Sequence, residues 1–281
     1  MRVPQKSCEE IAIVAVSDEQ LADLLPEIVA LAGRADKAIM EVYAGDDFGE
    51  TAKADNTPLT KADLASHRII TEALGQLTLA FPVLSEESPA MSYETRRTWT
   101  TYWLVDPLDG TKEFLKRNDE FTVNIALIEG PTPVLGVVSA PALGVTYYAA
   151  RGHGSFKQLD GQDPARISAE DRPDDPLRMV VSRSHGSEEL EAFLKKTSSV
   201  ESVPTGSSLK FCVVAEGAAH LYPRFGPTNE WDTAAAHCVV TEAGGTVTNF
   251  QGDPLVYNKP DLLNPYFMVS GKRKLPWREW L

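Results

Sequence analysis

Long hydrophobic runs are missing from this 281-residue chain. Without a stretch of about 18 apolar residues, no transmembrane helix is expected. Residues 11–16 are too short and too poorly flanked for a signal peptide. Cysteine is scarce: Cys8, Cys212 and Cys238 are the only three. Their odd number, wide spacing and lack of a CxxC pair exclude a disulfide framework and a cysteine-rich zinc site. Cys212 and Cys238 fall in apolar helical patterns and are expected in the core. A reducing compartment fits, so the expected location is the cytoplasm, with peripheral association at the inner face of a membrane left open. Positive charge is also short, 27 Lys and Arg against 40 Asp and Glu, a net charge of −13. A nucleic-acid polymer would be repelled by most of that surface. A small anionic substrate is compatible, provided metal ions supply local positive charge. The five histidines show no HExxH spacing, and there is no internal repeat or low-complexity tract.

What is present reads as helices first, then strands. Ser17 with Gln20 three residues on is a capping-box pattern. Leu21, Leu24, Leu25, Ile28, Leu31, Ala35 and Ile39 follow at helical spacing up to Gly45. Thr60 caps a second expected helix, with Ile69, Ala73 and Leu77 on its apolar side and Asp63 in its first turn. Strands are expected at 81–84, 103–105, 121–128, 134–139 and 145–149. Proline and charge mark a break at 169–176, which divides the chain into 1–173 and 174–281. The second half alternates strand and helix: strands at 178–182, 200–203, 220–224 and 245–250, and helices after Ser187, from Gly206, and from Trp231 to Gly244. The expected class is an α+β half joined to an α/β half, with a largely antiparallel first sheet.

The stretch Trp103-Leu-Val-Asp-Pro-Leu-Asp-Gly-Thr-Lys-Glu-Phe114 organises the rest. An apolar strand runs into two aspartates, a glycine that permits a sharp turn, and a helix start. Such a layout gathers oxygen ligands for a hard cation and aims backbone N–H groups at an anion. Glu86, Asp106, Asp109 and Asp232 all sit where a strand ends or a helix begins. Four carboxylates gathered there repel one another and need cations. Oxygen-only ligands point to Mg²⁺, with Mn²⁺ as a substitute. Each residue also has a blander reading. Asp232 alone is a helix N-cap, Asp63 an acid favoured by the helix dipole, and Glu86-Glu87 a solvated pair. Lys210 is then a solvated helix residue, Arg224 a strand-edge charge and His185 structural. For Asp106 and Asp109 the bland reading is poor, because two acids bracketing Pro-Leu before Gly-Thr are too particular for a generic turn. Two ions about 4 Å apart would activate a water and stabilise a leaving oxygen, which is metal-assisted phosphoester hydrolysis.

Glu86-Glu-Ser88, Asp106-Pro-Leu-Asp-Gly-Thr111 and Trp231-Asp-Thr-Ala-Ala235 resemble the signature blocks of the inositol monophosphatase superfamily. Within it, the 103–114 stretch, Gly206-Ser-Ser-Leu-Lys-Phe211 and Leu221-Tyr-Pro-Arg-Phe-Gly-Pro-Thr-Asn229 look like the CysQ-type 3′(2′),5′-bisphosphate nucleotidases. The resemblance spans about residues 54–269. It implies a layered α/β/α/β/α sandwich and Mg²⁺-dependent, Li⁺-sensitive removal of the 3′-phosphate of adenosine 3′,5′-bisphosphate, in sulfur assimilation, giving AMP and phosphate. The implied metal ligands are Glu86, Asp106, the Leu108 carbonyl, Asp109 and Asp232, for two or three ions. Asp63, matched through Pro58-Leu-Thr-Lys-Ala-Asp63, is the implied base, with Thr111 orienting the water and Glu86 beside them; Glu87 is a supporting group. Implied substrate contacts are Leu108, Asp109, Gly110, Thr111, His185, Ser207, Lys210, Arg224 and Asp232, on a protein that is a monomer or a homodimer. Arg suits a phosphate by its planar fork and Lys as a point charge.

Two competing readings stand beside this one. One is an inositol monophosphatase or sugar bisphosphatase on the same scaffold. The other is a non-catalytic Mg²⁺-binding regulatory protein. Lys112-Glu113, Lys210 and Arg224 favour a substrate with a second phosphate, and the complete ligand set argues against the regulatory protein. Lys112 and Glu113 have no physical role assignable from sequence.

Overall fold

A computed structural model describes residues 15–53, 57–169, 176–182, 187–197 and 199–281. Helix α1 (Asp18–Tyr43) starts where Ser17 accepts the Gln20 N–H and Gln20 accepts the Ser17 N–H, so two donors at the helix start are satisfied reciprocally. A hairpin of two short strands, β1 (Thr51–Ala52) and β2 (Pro58–Leu59), leads into α2 (Lys61–Leu74), capped by Thr60.

A seven-stranded sheet follows in chain order: β3 (Val83–Ser85), β4 (Thr101–Asp109), β5 (Thr122–Glu129), β6 (Thr132–Ala140), β7 (Val145–Ala150), β8 (Gly154–Leu159) and β9 (Ala165–Ile167). Only β3 and β4 are parallel; every other neighbour pair is antiparallel. A second sheet has the order β11–β10–β12–β14–β13, from β10 (Leu177–Ser182), β11 (Val200–Thr205), β12 (Leu221–Arg224), β13 (Thr246–Asn249) and β14 (Phe267–Ser270). Five further helices are α3 (Tyr93–Arg96), α4 (Thr111–Leu115), α5 (Glu188–Lys195), α6 (Leu209–Ala215) and α7 (Glu230–Glu242).

The two-residue period of a strand explains the layering. On β4, Trp103 and Val105 face α1 and α2, while Tyr102 and Leu104 face α6 and α7. Both sets are buried, so β4 and β5 read as nearly continuous apolar runs. The central helices pack between the two sheets, meeting Val180, Tyr222, Val247 and Val269 of the second. The outer face of that sheet, Met179, Leu221 and Met268, is covered by Phe193 of α5 and by Trp277. The result is an α/β/α/β/α sandwich. At Gly136 of β6, α7 approaches so closely that a Cβ would collide with the Ala235 carbonyl. No described helix is long and apolar enough to cross a membrane.

The expected helices and strands are present within a few residues. The β1–β2 hairpin, α3, β8, β9 and β14 were not among them. The first two have elements of only two to four residues. β8 and β9 are mostly polar and half-exposed, and β14 is buried throughout, so none of the three alternates. Cys212 and Cys238 are free, buried thiols, while Cys8 and most of the 169–176 break lie outside the described residues.

Candidate active site

β4 delivers the two central acids through a distortion. Asp106 pairs with Asn124 of β5 and Asp109 with Thr122, so three steps on one strand match two on the other. The extra residue re-aims the side chains between them. The Leu108 N–H donates to Asp106 Oδ1 at 3.0 Å. Gly110 then takes φ +87°, a left-handed conformation that suits glycine. A Cβ there would also run into the Ser207 hydroxyl.

Glu86 lies just past β3, its N–H bonded to the Val105 carbonyl at 3.1 Å. Asp232 comes from the first turn of α7. The cap of that helix is Asn229, not Asp232; Asp232 is the third helical residue and its Oδ2 accepts the Asn229 N–H at 2.8 Å. The reading of Asp232 as N-cap is thereby corrected: an acid at either position serves the orphan donors, and only the backbone shows which it is.

Carboxylate oxygens of Glu86, Asp106 and Asp232 lie within 4.8 Å of one another. Asp109 is outside that group of three. Its Oδ2 accepts the Ser208 N–H at 2.7 Å, and it lines the same cleft with Leu108, Gly110 and Thr111. Burial, together with the mutual repulsion of these acids, pushes Asp106 and Asp232 well above the usual carboxylate range. Burial raises Asp109 to about 6, with Lys210 pulling the other way. An oxygen-only set around buried Asp106, with its charges crowded together, fits a hard divalent cation and not zinc.

Asp63 has one oxygen for each of its two readings. As third residue of α2, its Oδ2 accepts the Thr60 N–H and hydroxyl at 2.7 and 2.5 Å. Its other oxygen, Oδ1, faces the Thr111 hydroxyl at 3.3 Å. That hydroxyl also lies 3.4 Å from the Leu108 carbonyl. Burial raises the Asp63 pKa, and the Thr60 bonds oppose the shift.

The cleft continues to a basic wall. Lys210 is 8% exposed, so it is no solvated helix residue. Its ammonium lies 5.7 Å from the centre of the Tyr222 ring, and burial lowers its pKa to about 8 despite Asp109. Arg224 is oriented by the carbonyls of Gly226 and Pro227 at 3.2 and 2.9 Å. Ser207 lines the same recess, but its hydroxyl is directed at the carbonyls of Asp109 and Glu120. Lys112 borders the cleft, and Glu113 is buried in its floor within electrostatic reach of Lys210 and Asp109. His185 lies outside the described residues.

Sequence reasoning missed Lys53. It lies in the hairpin region, and its ammonium bonds Glu86 at 2.7 Å and also Glu87. No local pattern marks it, because the contact spans 33 residues. Glu87 thus shares this ammonium with Glu86 and is not one of the three clustered carboxylates.

The model of the inositol monophosphatase family matches residues 20–274. The chain belongs to the inositol monophosphatase family. Among relatives in this family, the chain is 51% identical over 249 residues to the 3′(2′),5′-bisphosphate nucleotidase CysQ of Escherichia coli, covering 88% of this chain and 99% of that protein. It is 40% identical over 257 residues to CysQ of Haemophilus influenzae, covering 91% and 95%. The crystal structure of CysQ from Bacteroides thetaiotaomicron superposes with a TM-score of 0.78 at 43% identity, covering 90% of this chain and 98% of that one. The inositol monophosphatase of Thermotoga maritima shares the fold at 24% identity and a TM-score of 0.71.

Proposed function

We propose that this inositol monophosphatase family member is a Mg²⁺-dependent 3′(2′),5′-bisphosphate nucleotidase that hydrolyses adenosine 3′,5′-bisphosphate to AMP and phosphate. The observation that carries this reading is the placing of buried Lys210 and of Arg224 across one cleft from the Glu86, Asp106 and Asp232 cluster. One wall suits a metal-bound phosphate, and the other suits a second anionic group on the same small molecule. The relatives that carry the CysQ name support the nucleotide over inositol phosphate.

Glu86, Asp106, Asp109, Asp232 and the Leu108 carbonyl would hold two or three Mg²⁺ ions, with Mn²⁺ as a substitute. When bound, Mg²⁺ supplies Lewis-acid polarisation of the phosphoryl oxygens and a more acidic water. The chain's own part is orientation and proton handling. The Thr111 hydroxyl, donating to Asp63, leaves its lone pairs to receive the O–H of an attacking water. Asp63 is the proton acceptor at Oδ1, its Oδ2 being held by Thr60. The N–H groups of Gly110 and Thr111, at the start of α4 and lining the cleft, would be available to a phosphate oxygen. Lys210 and Arg224 take the other phosphate of the nucleotide, with Ser207 on the same side; His185 is kept as a substrate contact on the family resemblance alone. In this reading residues 1–173 carry most of the metal ligands, and 174–281 carry Asp232 and the nucleotide contacts. The free thiols of Cys212 and Cys238 accord with a cytoplasmic enzyme.

Phosphate release with Mg²⁺ tests the assignment. The expected kcat/KM for adenosine 3′,5′-bisphosphate exceeds that for inositol 1-phosphate by at least about tenfold, a margin of about 1.4 kcal/mol. The opposite ranking overturns the nucleotide reading.

A further inference from the structure

Asp106, Asp232 and Asp63 each accept a main-chain N–H from within three residues, whereas the donor to Asp109 lies 99 residues away. Asp109 Oδ2 accepts a main-chain N–H, that of Ser208, at 2.7 Å. A main-chain donor is only as well placed as the segment that carries it. The segment here is strained: Ser207 sits at φ +46°, in the left-handed region. It is held in place by several contacts. The Gly206 N–H donates to Glu120 Oε2 at 2.8 Å, and the Ser207 hydroxyl lies 2.7 Å from the Glu120 carbonyl. Ser208 itself is fixed by its side chain. Its hydroxyl donates to Asn124 Oδ1 at 2.7 Å and lies 2.8 Å from the Thr122 hydroxyl. All three side chains are buried.

Thr122 and Asn124 are the residues of β5 that pair with Asp109 and Asp106 on β4. The same two sheet positions therefore hold the backbone of the acids by strand pairing and the Asp109 carboxylate through Ser208. Ser208 is also the last residue before α6, and Lys210 lies in the first turn of that helix. One buried hydroxyl thus stands between the sheet, a carboxylate on the acidic wall and the ammonium on the basic wall. The Asn124 amide nitrogen has no hydrogen-bond partner among the described residues. A buried donor without a partner costs stability, and an apolar residue of similar size would avoid that cost. Asn124 is therefore poorly explained by packing and well explained by what its oxygen holds.

On the nucleotidase reading above, we propose that Asn124 is a positioning residue that acts through the Ser208 hydroxyl to set both the Asp109 carboxylate and Lys210. Asn124 touches neither metal nor substrate. Removing it frees Ser208 to shift, which lengthens the bond to Asp109 and displaces the start of α6.

The test is a double-mutant cycle on full-length protein with two readouts. The first is the Mg²⁺ midpoint, taken from thermal stabilisation or calorimetry without substrate. The second is kcat and KM for adenosine 3′,5′-bisphosphate. Asn124→Ala and Ser208→Ala each weaken Mg²⁺ binding and kcat/KM by about tenfold, the loss expected when a group supporting a metal ligand is removed. Because both break one link, the double variant also loses about tenfold, not a hundredfold. Thr122→Val, which leaves the Asn124–Ser208 bond intact, costs about threefold at most. Losses that multiply in the double variant overturn the proposal, as does a Ser208→Ala protein whose Mg²⁺ midpoint and KM match the parent. Should Asn124→Ala not fold, Ser208→Ala decides, since it deletes a single oxygen. A parent protein inactive on adenosine 3′,5′-bisphosphate would count against the nucleotidase reading alone, because Mg²⁺ titration of parent and variants reads the positioning role without turnover.

Discussion

The two walls of the cleft carry opposite charge and are secured in opposite ways. On the acidic wall, Glu86, Asp106 and Asp232 come from three elements and converge until their oxygens lie within 4.8 Å. Repulsion and burial push Asp106 and Asp232 towards their neutral forms. On the basic wall, burial pushes Lys210 down to about 8, and Arg224 is tied by carbonyls. Each wall is costly by itself, and a metal-bound phosphate ester would relieve both. Asp106 and Asp109 are anchored by a bulged strand next to the edge of a seven-stranded sheet, Glu86 by the end of β3 and Asp232 by the first turn of α7. Lys210 is carried by the short helix α6, which starts just after Ser208, and Arg224 by the end of β12.

The largest effects should come from breaking the acidic wall. Asp106→Asn is expected to cost turnover on the order of 10³-fold, because a proposed metal ligand is lost. Metal-free thermal unfolding should move the other way, to higher temperature, because a buried like charge is gone. A variant that is both active and less stable would contradict the cluster.

Next comes Asp63, the proposed proton acceptor. Asp63→Asn should lower kcat by about 10²- to 10⁴-fold with the Mg²⁺ midpoint nearly unchanged, as for loss of a general base. A shifted midpoint with intact kcat would make Asp63 a ligand instead.

On the basic wall the loss should be smaller and of another kind. Lys210→Met should raise KM for adenosine 3′,5′-bisphosphate by about tenfold to a hundredfold, the worth of one charge-assisted hydrogen bond. A substrate with a single phosphate should barely notice the change. Equal losses on both substrates would place Lys210 with the metal side.

Asp36 serves as a control, since it is a buried carboxylate away from the cleft. It sits on α1, accepts the Ser139 hydroxyl at 2.6 Å, and its other oxygen has no partner among the described residues. Burial raises its pKa from 3.8 to about 6, with Asp160 adding to the rise. The stability held by its protonated form is complete below pH 3.8 and is lost as pH rises through about 6. Asp36→Asn should therefore stabilise the protein at pH 7 by on the order of 2–3 kcal/mol and change nothing below pH 4. Turnover should be unaffected. Chemical denaturation at the two pH values checks this, and an equal gain at both would remove titration as the cause.

Much of this was legible in the chain because the information is local. Asp106, Asp109, Gly110 and Thr111 sit on consecutive turns of backbone, so strand, bend and helix start could be placed in order. Ser17 and Thr60 showed their caps three residues ahead. Asp63 could be read only as a cap from pattern, and the family resemblance supplied the second role, which the position of Oδ1 beside Thr111 supports. Lys53, Ser208 and Asn124 left no sign, since their contacts to Glu86, Asp109 and Ser208 span 33, 99 and 84 residues. The solvated reading of Lys210 failed for the same reason: burial depends on what packs over a helix, not on its own spacing.

The sequence by itself therefore determined the elements and the order in which the acids arrive, because caps, turns and strand periodicity act over a few residues. Only the tertiary structure decided which acids stand together, which lysine is buried, and that Ser208 joins the two walls. Those outcomes come from sheet pairing and layer packing, which bring distant residues together and withdraw water from them.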